Sequence, residues 1–87
     1  MSLNQYSTSV AALAVDGLQR ARRAANVSQR ELAEEMGVTR QTVNQKLQAG
    51  DMKLTEFVTM ALSVGVEPAD LFAQAKEKAA LAGREVE

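Results

Sequence analysis

Between Thr39 and Gly50 the chain carries Arg40, Gln41, Asn44, Gln45 and Gln48 and no carboxylate. On a helix, at 100° per residue, these five side chains fall within an arc of roughly 140°, making one face of guanidinium and carboxamide groups. Such groups form paired, planar hydrogen bonds. A guanidinium offers two parallel donors, which match the O6 and N7 acceptors of guanine, while a carboxamide offers a donor and an acceptor, which match adenine. Both edges are exposed in the DNA major groove, which is wide enough to admit a helix. The competing interpretation of any Gln- and Asn-rich face is a solvated surface, so the elements around it must decide.

Other chemistries are closed off by composition. The 87 residues contain no cysteine and no histidine, which removes the usual zinc ligands and the usual partners of a nucleophile. Only scattered carboxylates remain as acid-base groups, so no enzyme is expected. No cofactor and no small-molecule ligand is evident. The longest wholly apolar run, Val10 to Val15, is far short of the roughly 20 residues that span a bilayer, and no signal segment precedes it. A cytoplasmic protein without a membrane partner is expected.

The net charge of −1 argues against a polyanionic partner until its distribution is read. Residues 20 to 53 hold seven basic side chains (Arg20, Arg22, Arg23, Arg30, Arg40, Lys46, Lys53) against four acidic ones, a net of +3. The segment after them is net −3, and the segment before holds only Asp16. Positive charge is therefore concentrated in the middle of the chain, where the guanidinium and amide face lies.

Five helices are expected to position that face, and no strand pattern is present. After a flexible lead over residues 1–8, Val10, Leu13, Ala14, Leu18, Ala21 and Ala25 recur at helical steps behind Ser9 as a cap, and Asn26 suits the left-handed end. Ser28 and Glu31 form a capping-box pair that opens a second short helix, with Leu32, Ala33 and Met36 on its apolar side and Gly37 at its end. Thr39 caps a third helix over residues 40 to 48, ended by Gly50. A fourth runs from a poorly capped start near Lys53 to Gly65. Pro68 opens the fifth, with Leu71, Phe72, Ala75 and Ala79 on one face and Gly83 as its closing residue. A single domain over residues 9–82 is expected, with residues 83–87 frayed. Two short helices joined by a tight glycine-containing turn are a DNA-binding arrangement.

The run Ser28-Gln29-x-x-Leu32-Ala33 followed by Gly37-Val38-Thr39 resembles the Cro and C1 repressor helix-turn-helix family, also called the XRE family. The similarity extends over roughly residues 18 to 73. It implies an all-α, five-helix, lambda-repressor-like DNA-binding domain whose third helix enters the major groove, often as a homodimer on a palindromic operator. Arg40, Gln41 and Gln45 match the family's base-contacting positions, and Gln29 matches the residue that touches the DNA backbone at the start of the second helix. Two positions depart from the pattern. Lys46 stands where the family commonly has an apolar residue and Leu47 where it commonly has a polar one, so Leu47 is expected to pack while Lys46 reaches outward.

From the residues themselves, Arg40 is assigned to a guanine or a nearby phosphate, and Gln41, Asn44 and Gln45 to base edges. Phosphate contact falls to Gln29 and Thr42, with Lys46, Lys53 and Arg22 adding sequence-independent attraction. The Leu71, Phe72, Ala75 and Ala79 stripe is the candidate dimer surface, with packing inside the molecule as its alternative. The function that follows is a transcriptional regulator of the small-repressor type on double-stranded DNA. An antitoxin using the same domain, or a helical protein-interaction module without DNA, are the competing readings.

Overall fold

The computed structural model describes residues 2–86, and all secondary structure among them is helical. The helices are α1 (Leu3–Ala24), α2 (Gln29–Met36), α3 (Arg40–Ala49), α4 (Leu54–Val64) and α5 (Pro68–Val86). Met1 and Glu87 lie outside the described residues.

Helix ends follow local chemistry. Ser28 and Thr39 cap α2 and α3, their hydroxyls accepting the N–H of Glu31 at 3.0 Å and of Thr42 at 3.1 Å. At the other ends of α1, α2 and α4 one motif recurs. A left-handed residue (Asn26, Gly37 or Gly65) is followed by a valine whose N–H bonds to a carbonyl five residues back. These bonds are Val27 to Arg22, Val38 to Ala33 and Val66 to Ala61, at 2.9–3.1 Å. This is the Schellman ending, which satisfies carbonyls that the helix leaves orphaned. Val27 and Val66 then turn back against the core, while Val38 stays on the surface.

Two boundaries differ from expectation. Residues 3–8, expected as a flexible lead, are the first turns of α1. Ser2 caps the helix in place of Ser9, through a reciprocal box in which its hydroxyl accepts from Gln5 and the Gln5 carbonyl accepts from Ser2. The Ser7 and Thr8 hydroxyls bond back to the Leu3 and Asn4 carbonyls within this largely exposed stretch. At the far end α5 passes through Gly83 and continues to Val86.

One core joins the helices. Leu18, Leu32, Val43 and Met60, one from each of α1 to α4, are almost wholly shielded from water. Burying such a side chain contributes about 1.5–3 kcal/mol. Phe57 of α4 and Phe72 of α5 extend the core with ring centroids 4.8 Å apart. The most extensive pairing is between α1 and α5. It buries Leu71, Ala75 and Ala79, and half-buries Phe72. The stripe offered as a dimer surface is therefore taken up inside the molecule: apolar groups on α5 are needed to cover Ala14, Val15 and Leu18 of α1.

Candidate nucleic-acid interface

The orientation of α3 follows from two side chains. Val43 and Leu47, four residues apart, point into the core and are 0% and 7% exposed. That places Arg40, Gln41, Gln45 and Gln48 on the outer side, and all four are exposed. Four of the five residues of the face anticipated from the sequence are therefore turned to solvent. The Lys46 and Leu47 positions settle as expected, with Leu47 packed inside and the Lys46 ammonium outside the core.

Gly37 makes the α2–α3 turn tight enough for this arrangement. Its φ of 68° is a conformation that costs a side-chain-bearing residue about 1–2 kcal/mol, and it lets the chain pass from α2 into the Thr39 cap in three residues. Ala33 is buried beside the turn.

Asn44 is half-buried, and its Oδ1 accepts a hydrogen bond of 3.0 Å from Gln29 Nε2. This bond ties the start of α2 to the middle of α3. Gln29, Arg40, Gln41 and Asn44 line one open cleft. An adjoining cleft is lined by Arg22, Ser28, Gln29, Arg30 and Arg40. Three guanidinium groups thus surround the first turn of α2, where amides free of intrahelical partners point outward and favour an anion. Arg30 was missed in the sequence reading, although its position next to Gln29 in that first turn was a readable signal. Arg30 and Arg40 have no ion-pair partner among the described residues.

Other residues expected at the interface are held by protein groups. The Arg22 Nη1 donates to the Val27 carbonyl at 2.9 Å and its Nε to Gln19 Oε1 at 2.6 Å, bracing the α1–α2 turn. Burial, and then the neighbouring Arg23 charge, lower the pKa of this guanidinium, which remains charged. Lys46 Nζ pairs with Glu56 Oε2 of α4 at 2.9 Å. The hydrogen bond from Lys46, followed by one from the Lys53 backbone, lowers the Glu56 pKa from the ordinary glutamate value. Thr42 is half-buried, with its hydroxyl 2.9 Å from that of Thr39. Lys53 is exposed before α4. Glu31, Glu34 and Glu35 lie away from the reading face, along a cleft shared with Thr59, Leu62 and Ser63 of α4. Carboxylates and amides are thereby separated onto different sides of the α2–α3 unit.

Residues 18–45, from the middle of α1 into α3, match the family model described as helix-turn-helix. That segment is similar to the Cro/C1-type (XRE) helix-turn-helix. The matched segment contains α2, the turn at Gly37 and the first part of α3, including the Arg40 to Gln45 part of the exposed face. The all-helical, five-helix architecture is consistent with this family's fold, and the family is a DNA-binding, regulatory one and not typically enzymatic. The match supports a DNA-binding helix-turn-helix in that segment. Comparison with curated proteins and with solved structures returned no match. No helix among the described residues is long and apolar enough to cross a membrane.

Proposed function

We propose that the protein is a sequence-specific transcriptional regulator of the small-repressor type, acting in the cytoplasm as a homodimer on a palindromic double-stranded DNA site. The observation that carries this reading is the exposed face of α3: Arg40, Gln41, Gln45 and Gln48 facing outward, no carboxylate among them, fixed from behind by Val43 and Leu47. In the bound state α3 lies in the major groove, with Arg40, Gln41, Asn44 and Gln45 at base edges. Gln29, Thr42, Lys53 and Arg30 meet the phosphates, and Arg30 is favoured by its place beside the free amides of α2. Lys46 and Arg22, held by Glu56 and by the Val27 carbonyl, add to the positive field with fewer free donors.

One such domain spans few base pairs, so two copies separated by about one DNA turn, roughly 34 Å, give the required selectivity. The test is selection of bound fragments from random duplex DNA. The expected product is a motif of two inverted half-sites, with log affinity falling by about 0.9 per phosphate neutralised as salt is raised. An unenriched pool, or affinity insensitive to salt, overturns the reading; a motif without inverted symmetry removes the dimer from it.

A further inference from the structure

Helix α4 carries one charged side chain, Glu56, and that carboxylate is engaged by Lys46 and by the Lys53 backbone. Every other side chain of α4 is apolar or a hydroxyl. Phe57, Met60 and Ala61 face the core, but Leu54, Val58 and Leu62, four residues apart, form a second apolar stripe beside them. Leu54 and Leu62 are 67% and 63% exposed, and the half-buried Val58 between them lies outside the core cluster. The remaining exposed large apolar side chains, Leu3, Val38 and Leu81, stand singly on other parts of the molecule. A helix that is apolar all round belongs in an interior, and apolar side chains gathered on a surface mark a contact with another molecule.

The two ends of the stripe carry charge of opposite sign. Lys53 is exposed at the Leu54 end, while Glu31 and Glu35 of α2 share a cleft with Leu62 and Ser63 at the other. None of these three charges has an ion-pair partner among the described residues. Asp51, also near Leu54, borders a separate cleft against Ala11 and Val15 of α1.

We propose that the outward face of α4 is the contact between two copies of the chain, their α4 helices packing antiparallel about a two-fold axis at Val58. Leu54 of each copy then meets Leu62 of the other, and Lys53 comes opposite position 63, beside Glu31 and Glu35 of the other copy. Parallel packing would set Lys53 against Lys53 and the carboxylates against each other, so charge selects the antiparallel arrangement. Such a contact is self-complementary and closes at two copies. The Lys53 ammonium has three donors, enough for a carboxylate of the second copy and a phosphate. The inference rests on the homodimer of the proposed function and deepens it, naming a surface that the α5 stripe, used inside the molecule, does not supply.

Sedimentation equilibrium, with and without the selected duplex, tests it, and thermal melts confirm that each variant folds. Wild type is expected to be dimeric. Val58→Asp and Leu62→Lys, which alter side chains outside the core cluster, should raise the dimer dissociation constant by about tenfold or more. Glu35→Lys should weaken the dimer, and adding Lys53→Glu to it should restore association. The chain has no cysteine, so single cysteines report the geometry by disulfide formation. Val58→Cys should cross-link to itself, whereas Leu54→Cys and Leu62→Cys should cross-link when mixed and not separately. A dimer that persists in Val58→Asp and Leu62→Lys, or one cross-linked by Leu54→Cys alone, overturns the proposal and leaves the homodimer standing. A wild-type protein that is monomeric both free and on the selected duplex overturns the homodimer itself, and this contact with it.

Discussion

Lys46 Nζ of α3 lies 2.9 Å from Glu56 Oε2 of α4, and the other oxygen of the same carboxylate accepts the Lys53 N–H at 2.8 Å. One side chain therefore does two things. It accepts the N–H of Lys53, the half of a capping box that a carboxylate at the third helical position supplies, and it fastens the back of α3 to its neighbour. Glu56→Gln keeps an acceptor for the cap and loses the ion pair, whereas Glu56→Ala loses both. Urea denaturation should show a cost of about 1–2 kcal/mol for the alanine variant and under about 1 kcal/mol for the glutamine variant. Equal costs for the two would mean that the cap contributes nothing.

The same carboxylate gives a pH dependence. Its pKa in the folded state lies below the ordinary value of 4.5, because of the hydrogen bond from Lys46 first and that from the Lys53 backbone second. The stability it contributes is fully present above the unfolded value and is lost as pH falls through the folded one. Melting temperature measured from pH 6 downward should therefore begin to drop near pH 4.5, and the drop should be shallower in Glu56→Ala. Identical profiles for wild type and variant would remove Glu56 as a source.

On the reading face, Arg40→Ala and Gln45→Ala are each expected to reduce discrimination between the selected site and random DNA by roughly 1 to 3 kcal/mol. Arg30→Ala should weaken all duplexes alike and reduce the slope of log affinity against log salt by about 0.9. Glu34→Ala, on the α4 side of α2, should leave selectivity unchanged. Fluorescence anisotropy at several salt concentrations separates these outcomes; a sequence-dependent loss in Arg30→Ala would move that residue from phosphate to base.

Two glycines at helix ends test the conformational cost of a positive φ. A Cβ on Gly37 meets nothing within 4 Å, so Gly37→Ala should cost only its positive φ, roughly 1–2 kcal/mol. Gly37→Asn should recover much of this, because asparagine tolerates that region, as Asn26 does at φ 59°. Gly50, at φ 69°, would place a Cβ in ordinary contact with Ala12 at 3.4 Å, so Gly50→Ala should cost about as much as Gly37→Ala by calorimetry.

Helices α2, α3 and α4 were legible in the sequence because their signals are local. Ser28 and Thr39 start two of them, while Gly37-Val38 and Gly65-Val66 end α2 and α4 within a few residues of chain. The orientation of α3 was legible for a similar reason, since Val43 and Leu47 are the apolar residues of its middle. The start of α1 was not legible: residues 3 to 9 are mostly polar, and their helix opens on the Ser2–Gln5 box, which hydrophobic patterning does not register. The use of the Leu71, Ala75 and Ala79 stripe was ambiguous because an apolar face looks the same whether α1 or another molecule covers it. The Gln29–Asn44 and Lys46–Glu56 pairs depend on how two helices cross. No spacing rule within one helix contains them, and they change the roles of residues whose types had been read as free polar groups.

The α1–α5 pairing also has a consequence for timing. Helix α1 finds its main partner in α5, which is made after α2, α3 and α4, so this pairing is unfinished until α5 has been synthesised. Until Leu71, Ala75 and Ala79 arrive, Ala14, Val15 and Leu18 remain wet, and the ends of the intervening chain must be brought together before their burial can offset that closure. Helix α5 touches neither α2 nor α3, so it steadies them only through α1 and α4, and the pair can pack on each other before α5 is made.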